Sequence, residues 1–111
     1  MKVQPEFASF AETYDSGRPQ VVWTSLVADL ETPVSAMLKL AGGRPNSFLL
    51  ESVEGGATRG RYSFIGLKPD LIWRAFGNRA EINRNAGDDA DSFRPAGQPT
   101  LESLRALVAE S

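Results

Sequence analysis

The fold turns on one stretch, Leu71-Ile72-Trp73-Arg74-Ala75-Phe76-Gly77-Asn78-Arg79-Ala80-Glu81-Ile82-Asn83-Arg84. Two runs that suit extended structure flank Gly77-Asn78, a two-residue turn of the kind that closes a hairpin. Strands joined by so short a connection pair antiparallel, because a parallel pair needs a long crossover. A hairpin over 71–84 is therefore predicted.

Upstream, Lys68-Pro69-Asp70 reads as a turn, and Arg61 to Leu67 as a further extended run with Tyr62 and Phe64 on one face. Ser47 to Val53 reads as a strand that leads into a glycine-rich loop, Glu54 to Gly60. Before it, Asp29-Leu30-Glu31-Thr32-Pro33 opens a helix. Thr32 caps orphan backbone N–H groups, and Pro33 suits the first helical position, where an N–H would have no partner. Val34, Met37, Leu38 and Ala41 share one face, and Gly42-Gly43 supplies the left-handed stop. Gln20 to Val27, rich in β-branched and aromatic residues, is expected as a strand. Phe7, Phe10, Ala11 and Tyr14 give a short amphipathic helix that ends at Asp15-Ser16-Gly17.

Downstream, Asn85 to Gln98 is polar and turn-rich and is expected to be a mobile loop. Thr100 then caps a closing helix with an apolar stripe on Leu101, Leu104, Leu107 and Val108. The order is helix, strand, helix, three or four strands, helix. The expected class is α+β, an antiparallel sheet flanked by helices, in one unit spanning 1–111. A final apolar stripe needs something to pack on, which suggests a segment of a longer polypeptide.

Composition narrows the chemistry. The 111 residues include neither Cys nor His, which excludes disulfide frameworks, thiolate metal sites, cysteine nucleophiles and Ser-His-Asp triads. Twelve Lys and Arg against 14 Asp and Glu give a net charge of −2, against nucleic-acid binding. No apolar run approaches a membrane span, and Met1 to Glu6 lacks a signal-peptide core, so a cytoplasmic location is expected.

Local motifs offer little catalysis. Gly55 and Gly60 have phosphate-loop spacing, but Arg61 and Tyr62 stand where Lys and Ser or Thr are needed. Asp88, Asp89 and Asp91 start a calcium-like alternation that Phe93 breaks, which leaves a solvated acidic loop as the simpler reading. Glu51 and Glu54 are not placed as an acid–base pair by anything in the sequence. Leu49-Leu50-Glu51-Ser52 has two readings. One is a strand leaving the core. The other is the mouth of an apolar pocket, in which a carboxylate meets an ammonium and a hydroxyl meets a carboxylate, as in amino-acid binding.

Two segments carry a family resemblance. Asp29 to Leu40, DLETPVSAMLKL, and Phe48 to Gly56 with Gly60-Arg61-Tyr62-Ser63-Phe64-Ile65-Gly66 resemble the anthranilate synthase component I family of chorismate-utilising enzymes. The resemblance runs in order over roughly Phe7 to Arg84. It implies a parent lyase of tryptophan biosynthesis that makes anthranilate and pyruvate from chorismate and ammonia. The ammonia is released from glutamine by a partner amidotransferase subunit, component II.

In the family the chorismate and Mg²⁺ site lies in a C-terminal portion absent from these residues. The resemblance thus implies no catalytic residues or cofactor in this segment and no activity of the segment alone. It implies the N-terminal region that mediates feedback inhibition by L-tryptophan. The family's LLES motif maps onto Leu49, Leu50, Glu51 and Ser52. Leu50, Glu51 and Ser52, with Pro33 as another wall and Arg61 as a basic lining residue, are the tryptophan-site candidates. The same region of aminodeoxychorismate synthase, an enzyme of folate synthesis, is the alternative within this architecture. A free-standing, non-enzymatic ligand-binding module is the alternative outside it.

Overall fold

The computed structural model describes residues 1–52 and 62–111. The loop expected over 54–60, the residue Val53 and the candidate Arg61 lie outside the described residues. The chain divides into two compact units, Met1–Glu31 and Thr32–Ser111.

In the first unit the helix α1 spans Phe7–Asp15. Its i, i+3, i+7 aromatics form a stacked column, with ring centroids 6.5 Å apart for Phe7 and Phe10 and 5.8 Å for Phe10 and Tyr14. The strand expected over Gln20 to Val27 does not form. Trp23 makes a single antiparallel bridge to Gln4, with both N–H groups donating across at 2.8 Å. β-Propensity is a preference for a pleated neighbour, and among the described residues this segment finds one only at that bridge.

The second unit opens with α2, Pro33–Ala41. The Thr32 hydroxyl accepts from the Ser35 N–H at 3.0 Å while the Ser35 hydroxyl accepts from the Thr32 N–H at 2.8 Å. The helix start is thus fastened reciprocally, and Pro33 sits in its first turn. Gly42, at φ 51°, ends it in the left-handed region. Of the expected apolar face, Ala41 is buried and Met37 half-buried, whereas Val34 and Leu38 stay exposed.

Among the described residues five short strands follow: β1 Phe48–Glu51, β2 Ser63–Gly66, β3 Ile72–Phe76, β4 Arg79–Asn83 and β5 Arg94–Pro95. All pairings are antiparallel, as the turn lengths demand, and they form two sheets, β1-β2 and β3-β4-β5. With the helices this is an α+β fold. The hairpin over 71–84 forms around Gly77, at φ 60°, with Trp73 opposite Ile82 and Ala75 opposite Ala80.

The stretch 85–98 corrects the expectation of a mobile loop. It contributes β5, and it is tied down by Asn83, which is fully buried. The Asn83 Nδ2 donates to the Asp89 carbonyl at 2.7 Å, and its Oδ1 accepts from the Asn85 N–H at 2.9 Å.

The closing helix α3, Thr100–Glu110, also differs in detail. Thr100 is its first residue and caps nothing. Its hydroxyl donates to the Gly77 carbonyl at 2.7 Å and its N–H to Asn78 Oδ1 at 3.2 Å. At the other end Arg84 grips Glu110 with two nitrogens, Nη2 at 2.9 Å from Oε2. Both ends of α3 are thus fixed to the two ends of β4. The lengths agree: eleven helical residues rise about 16 Å, and the span from Asn78 to Arg84 covers about 20 Å of extended chain. The side chain that α3 buries is Ser103, to which Trp73 Nε1 donates at 3.0 Å. Of the expected stripe, Leu107 is half-buried while Leu101, Leu104 and Val108 face out. Periodicity marks a stripe, but the indole N–H in the sheet needs an acceptor, and Ser103 supplies it.

Candidate functional site

β1 carries the candidate residues. Its register sets Leu50 against Phe64 and Leu49 against Ile65. Alternation therefore divides the pair of strands into two faces. Leu49 and Ile65 are half-buried on one. Phe48, Leu50 and Phe64 lie on the other, where Leu50 is 58% and Phe64 62% exposed. The Phe48 ring covers Gly66, its partner in the register, at the place where a Cβ would stand. The result is an apolar, partly aromatic surface that water touches.

Glu51 closes β1, and Ser52 follows it directly. Both are exposed, and neither side chain has a hydrogen-bond or ion-pair partner among the described residues. Alternation sends Leu50 and Glu51 to opposite faces of the strand. Pro33 is half-buried at the start of α2. That helix packs on β1 after a six-residue connection, Gly42 to Ser47. Glu51 stands exposed on the face opposite Leu50 and Phe64, and Ser52 follows it just beyond the strand.

Among the described residues no group of three or more acidic side chains could hold a metal ion. No helix among the described residues is long and apolar enough to cross a membrane.

Sequence reading missed two features of this unit. Asn83 gave no pattern, because a buried asparagine is defined by the loop it ties and not by its neighbours in sequence. The second is an ion pair backed by rings. Arg74 Nε lies 2.8 Å from Glu81 Oε2 across the β3–β4 pair, and its guanidinium sits 3.5 Å from the centre of the Phe93 ring. The cross-strand spacing of Arg74 and Glu81 was readable once the hairpin was placed. The Phe93 contact was not, because 85–98 carried no strand signal.

The chain is 53% identical to anthranilate synthase component 1 of Cereibacter sphaeroides over 105 residues, 95% of this chain and 21% of that protein. It is 42% identical to anthranilate synthase component 1 of Synechocystis over 110 residues, 93% of this chain and 21% of that protein. The protein of that name from Neisseria gonorrhoeae is 44% identical over 79 residues, 71% of this chain and 16% of that protein. The chain thus spans about a fifth of the length of the curated relatives that cover nearly all of it. No family model and no solved structure matches.

Proposed function

We propose, from the kinship of this chain with anthranilate synthase component 1 over 95% of its length, that it is the N-terminal regulatory region of such an enzyme and forms one side of an L-tryptophan site. The whole enzyme, cytoplasmic in this reading, would turn chorismate and ammonia from its glutamine amidotransferase partner into anthranilate and pyruvate, with Mg²⁺ held outside this segment. The segment alone would be inactive.

The observation that carries the regulatory reading is the end of β1. Glu51 and Ser52 are exposed without partners among the described residues, at the end of the strand that carries the exposed Leu50, itself paired with Phe64. Tryptophan pairs a large flat apolar surface with a zwitterion, so it needs an apolar wall and a few fixed polar groups. Leu50 and Pro33 would give wall, Glu51 would meet the ammonium, and Ser52 would leave room for the indole. Arg61 would complete the polar set. Inhibition then requires that tryptophan favour an arrangement less able to use chorismate, a coupling of about 1–3 kcal/mol in typical allosteric proteins.

The test is kinetic, in the full-length enzyme. Ser52→Phe fills the proposed space and should raise the tryptophan concentration needed for half-inhibition at least tenfold, with turnover in its absence within twofold. Glu51→Gln should weaken inhibition in the same direction. Inhibition unchanged in both variants, or turnover lost in parallel with inhibition, would overturn the assignment.

A further inference from the structure

We propose that the hollow beside the β4–β5 pair, far along the chain from the end of β1 and independent of its reading, is a binding site for a small monocarboxylate with a compact apolar body. The hollow holds about 550 Å³, within the range of small-molecule sites, and opens to solvent. Ile82, Pro95 and Ala96 give it an apolar side, and Arg84, Ser92 and Arg94 a polar one. Arg94 stands opposite Ile82 in the register, so the two side chains rise from one face of the sheet.

The charges decide the ligand. Arg74 is matched by Glu81 and Arg84 by Glu110. Arg94 has no carboxylate within ion-pair distance among the described residues, nor any side-chain hydrogen bond there. A guanidinium presents a planar fork that a carboxylate fills with two parallel bonds. One unmatched guanidinium neutralises one negative charge. Asp88, Asp89 and Asp91 lie in the loop just before Ser92 and oppose a second. A monoanion is therefore favoured over a phosphate dianion. Ile82 and Pro95 beside the fork favour an anion with an apolar body over acetate. Arg84 is held in reserve, because its fork is occupied by Glu110.

The experiment is a titration of the full chain with isovalerate, followed by amide and arginine Nε–H resonances, with inorganic phosphate and acetate in parallel. Saturable shifts at Arg94 and Ala96 are expected, with acetate and phosphate at least fivefold weaker. Arg94→Gln should lower isovalerate affinity tenfold or more, and Arg94→Lys, which keeps the charge but not the fork, severalfold. Glu110→Gln frees the Arg84 fork and should tighten binding severalfold at constant ionic strength. An unchanged spectrum elsewhere in each variant shows the fold intact. Shifts that do not saturate, that survive Arg94→Gln, or that phosphate reproduces at equal concentration would overturn the proposal. A variant that loses its fold passes the decision to Glu110→Gln, where unchanged or weaker binding overturns it.

Discussion

The fully buried side chain of Asn83 donates to the backbone carbonyl of Asp89 at 2.7 Å, six residues along the chain. Its other amide atom, Oδ1, accepts from the Asn85 N–H, so one side chain closes a polar loop onto the end of β4. Asn83→Leu removes both bonds and leaves the two backbone groups to find other partners. Each buried polar group left unmatched costs about 1–3 kcal/mol. The variant should melt well below the parent in thermal denaturation, and the Asn85 amide should lose its protection from hydrogen exchange. A melting temperature within a degree of the parent would show that the loop holds by other means.

The hairpin and the start of α2 were legible because their signals are local. Gly77-Asn78 sets a turn, and Thr32-Pro33 sets a helix start, whatever surrounds them. Local signals fail where the partner is distant. Gln20 to Val27 has strand composition, but Gln4 alone bridges to it, at Trp23. Arg94 and Pro95 have no strand signal and pair because Asn83 draws their loop toward β4. The strand that carries Leu49 to Glu51 was legible in its composition and its alternation. How far its side chains are buried was not, since burial is a property of the neighbours that a strand meets.

Trp73 and Ser103 join the sheet to the first turn of α3. Ser103→Ala keeps the volume nearly constant but deprives the indole N–H of its acceptor. The cost should be about 1–2 kcal/mol, the net worth of a hydrogen bond plus part of a desolvation penalty. Chemical denaturation followed by tryptophan fluorescence reads it directly. Ser103→Leu should cost more, because Ser103 is 3% exposed and a larger side chain overpacks the contact.

Gly66 accepts the Phe48 ring on its bare α-carbon. Gly66→Ala would set a methyl inside that ring. Phe48 is half-exposed and can swing away, so the penalty is the lost contact, about 1 kcal/mol, at the low end for overpacking. In a double-mutant cycle, Gly66→Ala should cost little once Phe48→Ala is present. Additive costs would mean that the strain lies in the backbone and not in the ring.

Arg84 and Glu110 hold the last turn of α3 to the end of β4, and their titration gives the clasp a pH range. The hydrogen bond from Arg84 keeps the Glu110 carboxyl below its ordinary value, against desolvation and with a smaller contribution from charge attraction. The same bond, then the attraction, raises the Arg84 guanidinium. A carboxyl lowered in the folded state stabilises fully above its unfolded pKa, and that contribution fades as pH falls through the folded pKa. A raised guanidinium loses its share only above the highest pH at which proteins are studied. The clasp should therefore be complete at neutral pH and open only below the usual carboxylate range, near pH 4. Both groups are exposed, so salt should weaken the clasp. Carbon-detected titration of the Glu110 carboxyl should show a midpoint below that of an unpaired glutamate, and Arg84→Gln should return it to the ordinary value. In that variant the amides of the last turn of α3 should exchange faster at pH 7, while those near Thr100, held by Gly77, should not change. Equal loss at both ends would mean that α3 docks as one rigid piece and that the clasp is not what fixes its end.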